Sequence, residues 1–267
     1  MRIHWLGDIH LNFLTADDFI VFIDLFMKHE SDAMVITGDI AEGDCFDSYL
    51  ALMAEAYKKP IYYVLGNHDY YRSSFRKVKD KATALDKAAK YNNLFWLNNN
   101  GIIKLTDDTC LVGHDGWYDA RFGDYWALGF DMSDFKLIED IASKGIHERF
   151  ALFNNLGDEC AEHIRQFIYK AFETYDKVIF ATHVPPFAES AKYRDQASSA
   201  TSLPFFTNKA AGEAILDVME GLPENKKLTV LSSHTHFQSY LKVSDAVSVY
   251  VSEAHYGYPK VYTTLEV

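Results

Sequence analysis

The sequence predicts an α/β protein in which two mixed sheets pack face to face with helices on the outside, an α-β-β-α sandwich of four layers. Three observations carry this. The first third alternates short apolar runs with helical patterns, which implies parallel strands joined by crossover helices. The last third is a succession of short strands with brief connections, which suits antiparallel or mixed pairing. At 267 residues, 48% of them hydrophobic, the chain has the material for a large core.

Arg2 to Leu6, Ala33 to Ile36 and Ile61 to Leu65 read as buried strands, short, rich in β-branched or aromatic residues and closed by glycine. Thr15 to Glu30 reads as an amphipathic crossover helix. Thr15 with Asp18 resembles a capping box, and Phe19, Phe22, Ile23 and Phe26 recur at helical spacing. A second helix is expected over Ser48 to Tyr57, and lysine-rich Arg72 to Lys90 is compatible with a solvated helix. Leu94 to Leu97, Ile102 to Leu105 and Cys110 to Val112 read as shorter strands, separated by the turn signals Asn98-Asn99-Asn100-Gly101 and Asp107-Asp108. No further strand is expected before Lys177 to Ala181, so the aromatic stretch between reads as an insertion near 116–175. An irregular stretch near 185–206 precedes a helix over Asn208 to Gly221. Leu228 to Leu231, Phe237 to Val243, Val247 to Val251 and Val261 to Leu265 complete the strands. The whole, 1–267, reads as a single domain carrying these two insertions.

The bulk properties exclude several classes. No stretch approaches the roughly 20 apolar residues that a membrane-spanning helix needs. Met1 runs straight into a strand-like segment, so no signal peptide is expected and the chain reads as cytoplasmic. Cys45, Cys110 and Cys160 are odd in number and widely spaced, which indicates neither a disulfide framework nor a zinc knuckle. A formal net charge of −12 argues against nonspecific binding to nucleic acid or anionic membrane. It leaves a phosphate substrate open, because bound cations dominate the field in their own neighbourhood. The sequence carries no signal for an oligomeric state.

Five polar segments, each following a strand-like run, carry the chemistry: Asp8-Ile9-His10, Gly38-Asp39, Gly66-Asn67-His68-Asp69, Thr182-His183 and His234-Thr235-His236. Ligands of α/β sheets bind beyond the carboxyl ends of strands, so these segments gather along one edge. Carboxylate, imidazole and amide donors together suit a hard, hydrolytic two-metal site.

This series resembles the calcineurin-like metallophosphoesterase superfamily, whose pattern is D-x-H, G-D, G-N-H-D/E, a lone His and G-H-x-H. The resemblance runs from Asp8 to His236 in family order. It implies the four-layer sandwich and a dinuclear phosphoesterase. By family role, Asp8, His10, Asp39 and His236 would ligate one ion, and Asn67, His183 and His234 the second, with Asp39 bridging. His68 would be a catalytic residue that binds no metal, with Asp69 orienting its ring. Ser233 departs from the family's usual glycine, and a side chain fits there only if φ is negative. The Asp-Arg pair that follows this aspartate in Ser/Thr protein phosphatases is missing, and Asp69 stands where they carry Glu.

Two divalent or transition ions (Mn, Fe, Zn or Ni) held about 3.5–4 Å apart would activate a hydroxide for attack on phosphorus. The expected activity is hydrolysis of a small phosphomonoester or phosphodiester, with a nucleotide preferred. A nuclease of the same superfamily and a metal-binding interaction module without turnover are the alternatives.

Around the site, Val112 to Arg121 reads as a loop over the metals. Trp117 or Tyr118 would stack on a base or sugar, His114 would contact substrate and Arg121 would clamp phosphate. Tyr193-Arg194 reads as loop packing, His255 as structural and Met132 as core.

Overall fold

The computed structural model describes residues 1–127 and 129–267. Its strands are β1 (Arg2–Leu6), β2 (Ala33–Thr37), β3 (Ile61–Val64), β4 (Leu94–Trp96), β5 (Ile103–Lys104), β6 (Thr109–Gly113), β7 (Lys177–Ala181), β8 (Lys192–Tyr193), β9 (Gln196–Ala197), β10 (Lys227–Ser232), β11 (Ser239–Lys242), β12 (Val247–Val251) and β13 (Thr263–Glu266). One sheet has the order β13-β1-β2-β3-β4 and a second the order β11-β12-β10-β7-β6-β5, while β8 and β9 form a separate hairpin. In the first sheet β1 to β4 are mutually parallel and β13 is antiparallel. In the second, β6, β7, β10 and β12 are parallel, with β5 and β11 antiparallel at the edges.

The five main helices are α1 (Ala16–Met27), α2 (Phe46–Tyr57), α3 (Phe75–Lys87), α4 (Ile146–Phe172) and α5 (Lys209–Met219). Thr15 caps α1 by accepting from the Asp18 N–H, and Ser74 and Asn208 cap α3 and α5 in the same way. Strand alternation then builds the layers. Ile3, Trp5, Ala33 and Val35 face Leu111, Ile179, Ala181 and Leu231 of the other sheet. Met34 and Ile36 point the other way, into a core with Phe22 and Phe26 of α1 and Leu50 and Met53 of α2. Cys110, Val112, Val178, Phe180 and Val230 meet Ile164 and Ile168 of α4 and Ile215 of α5. Central strands are therefore buried on both faces, which is why they read as continuous apolar runs.

The segment 116–175 divides in two. Up to Gly145 its described residues form loop and short helical turns, whereas α4 forms, with α5, the layer that covers the second sheet. Trp117 and Tyr118, expected in an exposed loop, are buried: Trp117 packs edge-on against Tyr70 and Phe75, and Tyr118 lies against Phe153. An aromatic stretch without periodicity is equally suited to extending a core, and these rings join the one that holds Met34, Ile36 and Leu50.

Candidate metal centre

Because β1, β2 and β3 run parallel, Asp8 and His10, Asp39, and Asn67 and His68 leave the first sheet at the same end. His183, His234 and His236 leave β7 and β10 of the second sheet. The loops after β1 and β2 stay bonded to each other: Asp8 N–H donates to the Gly38 carbonyl at 3.1 Å and His10 N–H to that of Asp39 at 2.9 Å. The sheets are joined where His234 N–H donates to Asp8 Oδ2 at 2.9 Å.

Turning side chains inward this tightly demands unusual backbone. Asp8, His10, Asp39, His234 and His236 all have positive φ, between 40° and 72°. Such left-handed conformations in residues with a side chain cost energy and mark functional sites. Ser233 is not among the positive-φ residues, so it fits without strain. Its hydroxyl bonds to those of Thr37 and Ser252 in a buried cluster. Gly7 makes room for that cluster, since a Cβ on it would collide with the Ser233 and Ser252 hydroxyls and lie 2.7 Å from Thr37 Oγ1. Gly66 is constrained by the same crowding, its Cβ position being 2.6 Å from His183 Cε1.

Donor atoms converge in two groups. Asp8, His10, Asp39 and His236 each offer one atom within 4.8 Å of all the others. Beside them, Asn67 Oδ1 is 3.0 Å from both His183 Nε2 and His234 Nδ1, which are 3.1 Å apart. Proton positions follow from the outer partners. His183 Nδ1 faces the Thr37 carbonyl at 2.9 Å and His234 Nε2 faces that of Phe205 at 2.9 Å. Carbonyls only accept, so those nitrogens carry the protons and the inner nitrogens present lone pairs. Asn67 Nδ2 donates to Asp134 Oδ1 at 2.9 Å, which turns its oxygen inward. Three acceptors facing one another without a proton between them form a cation-binding arrangement. Asp39 stands between the groups, Oδ2 being 3.7 Å from His10 Nε2 and Oδ1 3.5 Å from His183 Nε2.

Electrostatics point the same way. Burial pushes the Asp8 and Asp39 carboxyls well above the usual carboxylate range, and the nearness of Asp8 adds to the rise at Asp39. Burial lowers His10 and His183 strongly and takes His234 and His236 to about 4, so all four imidazoles stay neutral and able to ligate.

His68 does not belong to either group. Its ring stacks on Tyr71 at 4.1 Å, faces the cavity, and places Nε2 4.0 Å from Asp39 Oδ2. Asp69, expected to orient it, does other work: its carboxylate accepts from the backbone N–H groups of Ile40 and Ala41 at 2.9 Å and Gly66 at 2.8 Å. His68 to Tyr70 form a 3-10 turn, in which successive side chains point about 120° apart, so adjacent residues do not pair. His114 is also elsewhere, half-buried with its ring 5.0 Å from that of His163 and outside the cavity lining. Arg121 is bound to Asp158 at 2.8 Å and Asp119 at 3.4 Å, which occupies its guanidinium, and it is not among the residues that line the cavity.

A cavity of about 440 Å³ opens over both groups. Its walls include Tyr193, His255, Tyr256 and Met132 beside the donor residues; Met132 also packs against the core, as expected, and Tyr193 against Phe237. Sequence reading missed three supports. Asp134 accepts from Tyr71 at 2.7 Å, Tyr118 at 2.8 Å and Asn67. Tyr118 stacks behind His234 at 6.1 Å, and Tyr256 lies 4.5 Å from the His10 ring. Asp134 and the Tyr118 contact lie in an aperiodic stretch with no local signal.

Two packed sheets with metal-type donors gathered at the carboxyl ends of their strands define a metallophosphoesterase-type α/β sandwich. The chain belongs to the calcineurin-like phosphoesterases, whose family model matches residues 1–238. No curated protein matches it. Among solved structures, phosphopantetheinyl hydrolase of Mycobacterium tuberculosis is 14% identical, with 96% of this chain and 89% of that one covered and a TM-score of 0.68. A dimetal phosphatase from Danio rerio is 13% identical, with 95% and 87% covered and a TM-score of 0.55. A protein from Thermus thermophilus is 14% identical, with 94% and 88% covered and a TM-score of 0.51. At these identities the likeness concerns the fold. Among the described residues no helix is long and apolar enough to cross a membrane.

Proposed function

We propose that this protein hydrolyses a small phosphomonoester or phosphodiester, with a nucleotide the favoured class, and that it does so with two divalent or transition ions drawn from Mn, Fe, Zn or Ni. The observation that carries this is Asp39, whose two oxygens face two separate groups of acceptor atoms. Asp8, His10, Asp39 and His236 would hold one ion, and Asn67, His183, His234 and Asp39 the other. When bound, such a pair lowers the pKa of water and neutralises phosphoryl oxygens.

The chain's own residues do the rest. His68 is kept neutral by burial, its pKa lowered to about 3, so its ring N–H is a hydrogen-bond donor to a phosphoryl or leaving oxygen. Asp134 fixes the Asn67 amide through its Nδ2, and Tyr71 braces both Asp134 and the His68 ring. The cavity volume and the net charge of −12 favour a small substrate over a polymeric nucleic acid. All seven donors are present, which favours an enzyme over an interaction module. The names of two fold neighbours, a phosphopantetheinyl hydrolase and a dimetal phosphatase, are in keeping with this reading. A cytoplasmic site is part of the proposal, supported by the unbridged buried thiols of Cys110 and Cys160.

The test is hydrolysis of p-nitrophenyl phosphate, bis-p-nitrophenyl phosphate and a nucleotide panel by metal-stripped protein, before and after addition of Mn²⁺. Turnover that returns with the metal is expected. Absence of metal-dependent turnover on every substrate would reject the reading.

A further inference from the structure

A second cavity of about 410 Å³ adjoins the metal cavity, and Tyr193, Phe206 and Thr235 wall both. Phe130, Ser198 and Lys192 complete the parts that bear chemistry. The hairpin of β8 and β9 forms one side, and Tyr193 on it is 59% exposed, with the Arg194 guanidinium 5.5 Å from its ring centre. Lys192 lines this cavity, and neither it nor Arg194 has a carboxylate partner among the described residues, so both charges stand uncompensated there. Unpaired cations beside aromatic faces and hydroxyls make a subsite for a flat ring bearing an anion.

The geometry points to an annex that receives the leaving group, and to a substrate whose leaving alcohol is a nucleoside carrying a second phosphate. This rests on the phosphoesterase reading above. The ester phosphate occupies the metal cavity, the ring lies against Tyr193 and Phe206, and the second phosphate meets Lys192. In the reaction water adds to phosphorus, the P–O bond to the alcohol breaks, and the departing alkoxide takes up a proton. Inorganic phosphate and a nucleoside that keeps its other phosphate are the products.

The experiment compares adenosine 3′,5′-bisphosphate, adenosine 5′-monophosphate and p-nitrophenyl phosphate with wild type and Lys192→Gln, both loaded with Mn²⁺. Calorimetric titration of adenosine 3′-monophosphate into the metal-free proteins runs beside it. Wild type should prefer the bisphosphate over the monophosphate in kcat/KM by about tenfold. Lys192→Gln should abolish that preference, weaken adenosine 3′-monophosphate binding about tenfold, and leave p-nitrophenyl phosphate hydrolysis unchanged. An equal effect of the substitution on all three substrates, or no bisphosphate preference in wild type, would overturn the annex. Loss of hydrolysis of every substrate by wild type would instead reject the phosphoesterase reading, and the titration alone would then decide whether Lys192 binds the phosphate.

Discussion

Asp39 carries the strongest expectation at the scale of a residue, because its two oxygens serve different groups. Asp39→Asn should weaken binding of both ions together, measured by metal content after dialysis against a chelator; selective loss of one ion would contradict a bridging role. His68 lies beside the donors without joining them, so His68→Ala should retain both ions while turnover falls by about 10²-fold or more. Loss of metal from that variant would show that His68 ligates. Asp69 separates structure from catalysis. Its three N–H partners are backbone groups of two loops, so Asp69→Ala should destabilise the fold by about 3 kcal/mol in urea unfolding. Unchanged stability would refute the anchoring role. The family resemblance implied that Asp69 orients His68, and the geometry of a 3-10 turn points the two side chains apart.

At the scale of elements, strand ends were the legible part. Each donor follows a short apolar run closed by a small or polar residue, so the motifs and the strands announce each other. Legibility ended in the connections. Asp134, Tyr118 and Tyr256 act from segments without hydrophobic period, and the β8–β9 hairpin pairs only two residues on each side. His114 and Arg121 were misjudged for a related reason, since a loop that begins beside a site can turn away within two residues. Contact between β1 and β10 depends on Gly7, which leaves space for the three hydroxyls of Thr37, Ser233 and Ser252. Gly7→Ala should therefore cost about 2 kcal/mol of stability by overpacking and should loosen metal binding as well, because Asp8 is the next residue. Normal stability and metal content in Gly7→Ala would show that the hydroxyl cluster yields freely.

For the molecule as a whole, titratable groups buried among the four layers tie stability to pH. His163 lies on α4 between His114, 5.0 Å away, and Phe167, 4.4 Å away, with Nε2 buried and unpartnered. Burial lowers its pKa to about 4, and that of His114 falls well below its usual value for the same cause. Because the folded state resists the proton that the unfolded chain accepts near pH 6.5, this contribution is complete above that pH and is lost as pH falls towards about 4. The thermal midpoint should drop across that window, and the drop should be smaller in His163→Phe. An unchanged gap between the two proteins from pH 7 to pH 4 would dismiss the effect.

The left-handed backbone at Asp8, His10, Asp39, His234 and His236 has a last consequence. The conformational cost of aiming those side chains inward falls on the folded chain, and a bound ion would offset it. Occupancy should then be readable as resistance to unfolding, rising by about 2.7 kcal/mol when free metal reaches a hundred times its dissociation constant. In this way an ion held between those donors would act as a clasp across the two sheets.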